Sequence, residues 1–169
     1  MIAEQDAPVL TAKQLAAAFA LNVRVLKRQV AGLTHADSLR QPPVRGNCLN
    51  WVLGHIAIHR DYVLGALGQE PTLDRAAADR YGYGSEPVLG DGAGVLSLET
   101  LLAAIDQGQG RIAAALEAAS AAELAREATT DGRTMPVAQR VFGLYFHDTY
   151  HIGQTEFLRQ LAGTDDKVL

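Results

Sequence analysis

Four of the five histidines in this chain form two pairs at i, i+4 spacing, His55/His59 and His147/His151. Residues four apart on a helix stand one above the other on the same face. Two imidazoles placed that way can share one divalent ion. A third from another helix would complete a three-nitrogen site with one coordination position left open. Such an ion takes the proton from a thiol outright and brings the pKa of a water toward neutrality. The first outcome yields a nucleophile for S-transfer; the second yields a hydrolase.

At about 100° per residue, Arg140, Leu144, His147, His151, Gln154 and Leu158 fall on one narrow stripe. Cys48, Trp51, His55, His59 and Tyr62 fall on another. Two histidine-bearing stripes are therefore available to meet, and either His55 or His59 can supply the third nitrogen. His59, Asp148, Tyr62, Tyr81 and Tyr83 are candidate proton carriers or substrate contacts. Asp148 lies about 100° off the ligand stripe, where it could orient a histidine nitrogen or meet solvent. Cys48 reads as a small core residue, with the lip of a cleft as the alternative.

These residues need long helices to position them. Thr11 to Gln14 is a capping box that opens a first helix running to about Leu33. Pro42 and Pro43 then force an extended connection. Asn47 is placed to cap a second helix through about Leu67. Residues 69 to 96, with five glycines from Gly82 to Gly94, form a long connection of the kind that is usually functional or mobile. Ser97 caps a third helix through about Ala119, and Ser120 to Glu123 is a second capping box opening a short turn. After a turn at Asp131–Gly132, Thr134 caps a fourth long helix with Pro136 in its first turn and an end near Gly163. Four long helices with no strand of note predict an all-α four-helix bundle, one domain over residues 1–169.

Composition narrows the function. A formal net charge of −4 leaves no nucleic-acid footprint, and the cluster Arg24, Lys27, Arg28 reads as a solvated helix face. One cysteine precludes an intrachain disulfide. The segment MIAEQDAPVL is neither signal nor transit peptide, and no apolar run is long enough for a membrane span, so the expected location is the cytoplasm. The segment His147-Asp-Thr-Tyr-His151 lacks the glutamate that zinc proteases use as general base. None of the eight glutamates has a histidine three residues later, which excludes a di-iron carboxylate bundle.

The stretch Asn50-Trp51-Val52-Leu53-Gly54-His55-Ile56 and the stretch from His147 to Gln154 resemble the DinB-like family of metal-binding bundles. Arg80 to Pro87 and the segment Phe157-Leu158-Arg159-Gln160-Leu161 extend the resemblance over nearly the full chain. It implies a metal triad of His55, His147 and His151, with His59 as a supporting or cleft residue. It also implies zinc, nickel or another divalent ion, a homodimer, and a small-molecule substrate. Some relatives join a low-molecular-weight thiol to an electrophile, and a related branch isomerises maleylpyruvate with mycothiol. The expected activity is therefore thiol S-transfer. The alternatives are a metal-dependent hydrolase and a noncatalytic, stress-associated metal-binding bundle.

Overall fold

Thr11 begins the first helix as the spacing predicts. Its hydroxyl accepts from the Gln14 backbone N–H, and the Gln14 side chain accepts from the Thr11 N–H in return. The computed structural model describes residues 10–130 and 132–164. Within them, helix α1 (Ala12–Val30) is followed by the short α2 (His35–Ser38), α3 (Leu49–Ala66), α4 (Arg75–Tyr81), α5 (Leu98–Ala118), α6 (Ala121–Ala125) and α7 (Val137–Gln160). The four long helices α1, α3, α5 and α7 make the bundle. Helix α1 packs on α5 and α7, and α3 packs on the same two, so α1 and α3 occupy opposite corners. Helix α3 is apolar on nearly every side and buried along most of its length, as a helix enclosed by neighbours must be.

A polar seam sets the register of α1 against α7. The Asn22 side-chain amide donates to Asp148 Oδ2 and Thr149 Oγ1 at 2.8 and 2.9 Å. Seven residues on, Gln29 bonds Thr155 and Glu156. The side chain of Arg159 closes the seam on the Gln29 carbonyl. Buried polar groups of this kind hold one axial alignment because sliding would leave them unpaired.

Several boundaries differ from those expected. Helix α1 stops at Val30, since Gly32 takes a left-handed φ of 77° that turns the chain. Helix α3 starts at Leu49 with Cys48, not Asn47, at its cap position and no side-chain cap bond. Cys48 is fully buried, its thiol directed at the Val88 carbonyl. A small hairpin pairs β1 (Glu127–Thr130) with β2 (Arg133–Pro136), where helix and turn alone were expected. Thr134 bonds Thr129 across that hairpin instead of capping α7, which begins after Pro136. Thr129 and Thr130 before the turn and Thr134 after it favour the ladder. The expected turn residue Asp131 and the N-terminal segment through residue 9 lie outside the described residues. No helix among the described residues is long and apolar enough to cross a membrane.

The connection over residues 69–96 is an ordered brace. It contains α4, whose N-cap Asp74 accepts from the Ala77 N–H. Arg80 donates to the carbonyls of Glu86 and Pro87. Tyr81 is fully buried against α3. The glycines of this segment punctuate turns, and side-chain anchors tie the rest to the bundle.

Candidate metal centre

Asn50, Trp51 and Gly54 each have a separate task in holding the His55 imidazole. His55 is almost fully buried, and its Nδ1 lies 2.8 Å from the Tyr81 carbonyl. A carbonyl can only accept, so Nδ1 carries the proton and the lone pair of Nε2 is left facing the other histidines. Trp51 stacks on the His55 ring, 4.6 Å between centroids, and its indole N–H donates to Ser85 Oγ. Gly54 makes room for Tyr81: a Cβ there would stand 2.2 Å from the Tyr81 ring. Asn50 accepts from the Tyr81 hydroxyl and donates to the Leu96 carbonyl, while the Leu96 N–H donates to that hydroxyl. Tyr81, a candidate proton carrier in the sequence, thus has both its polar ends occupied in positioning.

Helix α7 supplies the other pair. His147 Nε2 and His151 Nε2 approach to 3.2 Å. Two nitrogens each about 2.1 Å from one zinc-like ion lie roughly 3.0 to 3.4 Å apart, so this spacing suits a shared ion. His151 Nδ1 bonds Gln154 Oε1 at 2.8 Å, one turn further along the stripe. As with His55, an accepting oxygen at Nδ1 leaves Nε2 unprotonated and turned inward.

All four rings meet. His55 lies 4.4 Å from His59, 5.2 Å from His147 and 4.8 Å from His151, centroid to centroid. One nitrogen each of His55, His59 and His147 lies within 4.8 Å of the other two. Distance alone would therefore group His55, His59 and His147 and leave out His151, where the family resemblance implies His151 in place of His59. Direction argues otherwise. The rings of His59 and His147 are stacked, 3.6 Å apart and 17° from parallel. Lone pairs lie in the ring plane, so stacked rings aim theirs side by side and not at one point. The buried Nδ1 atoms of His59 and His147 have no hydrogen-bond partner among the described residues. Uncharged imidazoles with inward lone pairs and orphaned nitrogens are a donor set that fits a divalent ion.

Electrostatics keeps the cluster neutral. Burial is the largest influence on each ring and lowers all four pKa values. His147 falls to about 4, with His151 and His55 adding repulsion. His59 falls to about 2, with its three imidazole neighbours and Arg140 opposing a further positive charge. Neutral imidazole is the form that ligates.

Clefts open on both sides of the cluster. One, of about 560 Å³, reaches His55, His147 and His151 past Trp51, Tyr83, Tyr150 and Phe157. The other reaches His59 and His147 past Tyr62, with Tyr83 at its rim as well. Tyr62 sets its edge against His59 at 5.0 Å, and Tyr83 is almost wholly exposed. Asp148 turns away from the rings and binds Arg60 and Asn22 in the core, so neither solvent nor a histidine nitrogen is its partner. Sequence reasoning missed the Tyr81 carbonyl and the stacking of Trp51. A backbone acceptor supplied by the end of a distant helix, α4, leaves no residue-type signal.

A family model described as the DinB superfamily matches residues 18–155. Among solved structures, the chain resembles a mycothiol-dependent maleylpyruvate isomerase at 15% identity and a TM-score of 0.61, covering 85% of this chain and 60% of the isomerase. A histidine-to-alanine mutant of a mycothiol-dependent maleylpyruvate isomerase matches at 14% identity with the same TM-score and coverage. The likeness is one of fold, and the chain spans 60% of the length of those proteins. A comparison with curated proteins found no match.

Proposed function

This chain belongs to the DinB superfamily, and from that premise we propose that it is a metal-dependent thiol S-transferase whose ion is held by His55, His147 and His151. The observation that carries the reading is the 3.2 Å approach of the His147 and His151 Nε2 atoms. Acceptors at Nδ1 of His55 and His151 support it, because they leave Nε2 of each ring with a free lone pair, His55 adding a third nitrogen to the α7 pair. A bound zinc or nickel ion supplies Lewis acidity, which lowers the pKa of a thiol that approaches it.

The protein's own residues then hold and orient the reactants. The 560 Å³ cleft has the size of a small-molecule site. Its Trp51, Tyr83, Tyr150 and Phe157 offer apolar surface to an electrophile. The sulfur–carbon bond forms as the thiol gives its proton to solvent and its sulfur adds across an activated double bond, whose displaced π pair takes up a proton from solvent. His59, held neutral by burial and its neighbours, is suited to accept a hydrogen bond and not to store a proton. Hydrolysis finds less support: Asp148, the carboxylate next to the α7 pair, is locked to Arg60. We further propose a cytoplasmic homodimer, for which Phe142 and Phe146, exposed on α7 outside that cleft, offer an apolar face.

The test is a thiol–electrophile screen with zinc- or nickel-loaded protein, following loss of free thiol. Turnover that vanishes in His147→Ala is the expected result. Thiol loss at equal rates in wild type and His147→Ala would overturn the transferase reading.

A further inference from the structure

The turn from Tyr81 to Ser85, just after α4, serves the histidine cluster at both of its ends. Tyr81 is fully buried and gives its carbonyl to His55. Ser85 accepts from the Trp51 indole N–H at 3.0 Å, and its own N–H closes the turn on the Gly82 carbonyl at 3.2 Å. Tyr83 stands between these anchors, almost wholly exposed. Its ring makes no hydrogen bond or ring contact among the described residues. The backbone holds it out: a Cβ at Gly82 would stand 2.8 Å from the Ala78 carbonyl oxygen, and Gly84 takes a left-handed φ of 79°. Tyr83 is thus a wall at the mouth of the clefts and not a piece of the core.

Inside the 560 Å³ cleft, aromatic rings stand beside the imidazoles proposed as ligands. Trp51 stacks on His55, and Tyr150 meets His151 edge-on at 5.3 Å. Phe157 lies further along α7, beyond Gln154. Arg45, exposed on the connection before α3, is the one charged residue among the described residues lining this cleft. The Gln154 amide oxygen is taken up by His151. The other cleft, by contrast, is lined by Arg126, Arg133, Arg140 and Asp61. The 560 Å³ cleft therefore presents little that recognises charge. A flat apolar group meets rings there that favour offset-stacked and edge-to-face contacts.

We propose that this cleft selects an uncharged electrophile bearing an aromatic ring, and that Tyr83 determines the specificity by covering that ring from the mouth. The inference rests on the S-transferase reading and names the electrophile class for it. Trp51 and Tyr150 are carried on helices beside their imidazoles and supply the fixed walls. The ring of Tyr83, not its hydroxyl, makes the contact.

Trp51 is the single tryptophan of the chain and lines this cleft, so its emission reports occupancy. Titrating zinc-loaded protein with benzylacetone, methyl propyl ketone and levulinate compares a phenyl, an alkyl and a carboxylate group on a methyl ketone. None of these ketones carries an activated double bond, so binding is read without turnover. We expect benzylacetone to bind about tenfold or more tightly than the other ketones. Tyr83→Ala should cut that preference to about threefold or less, and Tyr83→Phe should retain it. Equal affinity for the ketones, or no binding of any, overturns the inference. So does a phenyl preference that Tyr83→Ala leaves intact or that Tyr83→Phe abolishes. In turnover with mercaptoethanol, benzylidene acetone should show a higher kcat/KM than ethylidene acetone, with the gap narrowed in Tyr83→Ala. A gain from benzyl mercaptan in place of mercaptoethanol, with none from benzylidene acetone, would put the ring on the thiol and overturn the assignment. The two claims fail separately. No turnover with any pair sinks the S-transferase reading while the ketone preference stands, and turnover without an aryl preference sinks this inference alone.

Discussion

His59 meets His147 between α3 and α7, and the very next residues on both helices, Arg60 and Asp148, meet beside them. The two centres are built in opposite ways. Arg60 Nε and Nη2 donate to the two Asp148 oxygens, both at 2.9 Å, and Nη1 donates to Gln109. Asn22 adds a third bond to the carboxylate, and the guanidinium lies over the Phe19 ring. Both residues are about 1% exposed, which leaves no room for a ligand. In the histidine cluster, two nitrogens have no hydrogen-bond partner among the described residues, and clefts open on both sides. Full satisfaction marks a centre that specifies the fold; incomplete satisfaction at an opening marks one that binds.

The largest effect should come from breaking the satisfied centre. Asp148→Ala leaves Arg60 buried and uncompensated, so urea unfolding should show a loss of about 3–5 kcal/mol. Replacing both Arg60 and Asp148 with apolar residues of similar volume should cost far less. If Asp148→Ala costs under about 1 kcal/mol, the pair is not the structural centre described.

Gly54→Ala comes next, since the new Cβ must push Tyr81 off α3 and with it the carbonyl that holds His55. Overpacking of this kind costs about 1–3 kcal/mol, and metal affinity should fall with it. Metal binding equal to wild type in Gly54→Ala would show that the Tyr81 carbonyl does not orient His55.

Gln154→Leu tests the outer support on α7. It should weaken metal affinity about 10- to 100-fold while stoichiometry at saturation and the melting temperature of metal-free protein stay near wild type. A large drop in that melting temperature would place Gln154 with the structural centre.

A last test is the pH dependence of chelator-treated protein. The unfolded chain protonates these imidazoles near pH 6.5, whereas folded His147 resists until about pH 4 and His59 until about pH 2. Stability from this difference is present above pH 6.5 and is lost as pH falls toward 4. Urea midpoints should drop between pH 7 and 5, and less steeply in His147→Ala. Equal slopes in the two proteins would contradict the lowered pKa of His147.

The parts that followed from the sequence are those with local causes. The capping boxes at Thr11 and Ser120 and the cap at Ser97 appear where expected, because each is decided within four residues. The two histidine stripes meet because helical spacing fixes which side chains share a face. What the sequence concealed has distant causes. Asn50 spends its amide on Tyr81 and Leu96, thirty and more residues away, and Asp148 finds Arg60 across the bundle. The connection over residues 69–96 looked loose because its anchors lie on α3, outside the segment itself. The hairpin before α7 was hidden by its length of four residues per strand, too short for alternation to register.

The central claim is that His55, His147 and His151 hold one ion while His59 stands beside it. Metal content of untagged protein, measured by elemental analysis in wild type and in the four single histidine-to-alanine variants, tests it most directly. The account predicts about one divalent ion per chain in wild type and His59→Ala, and loss of the ion in the other three. Metal retained in His151→Ala and lost in His59→Ala would contradict it, as would a wild-type protein that takes up neither zinc nor nickel.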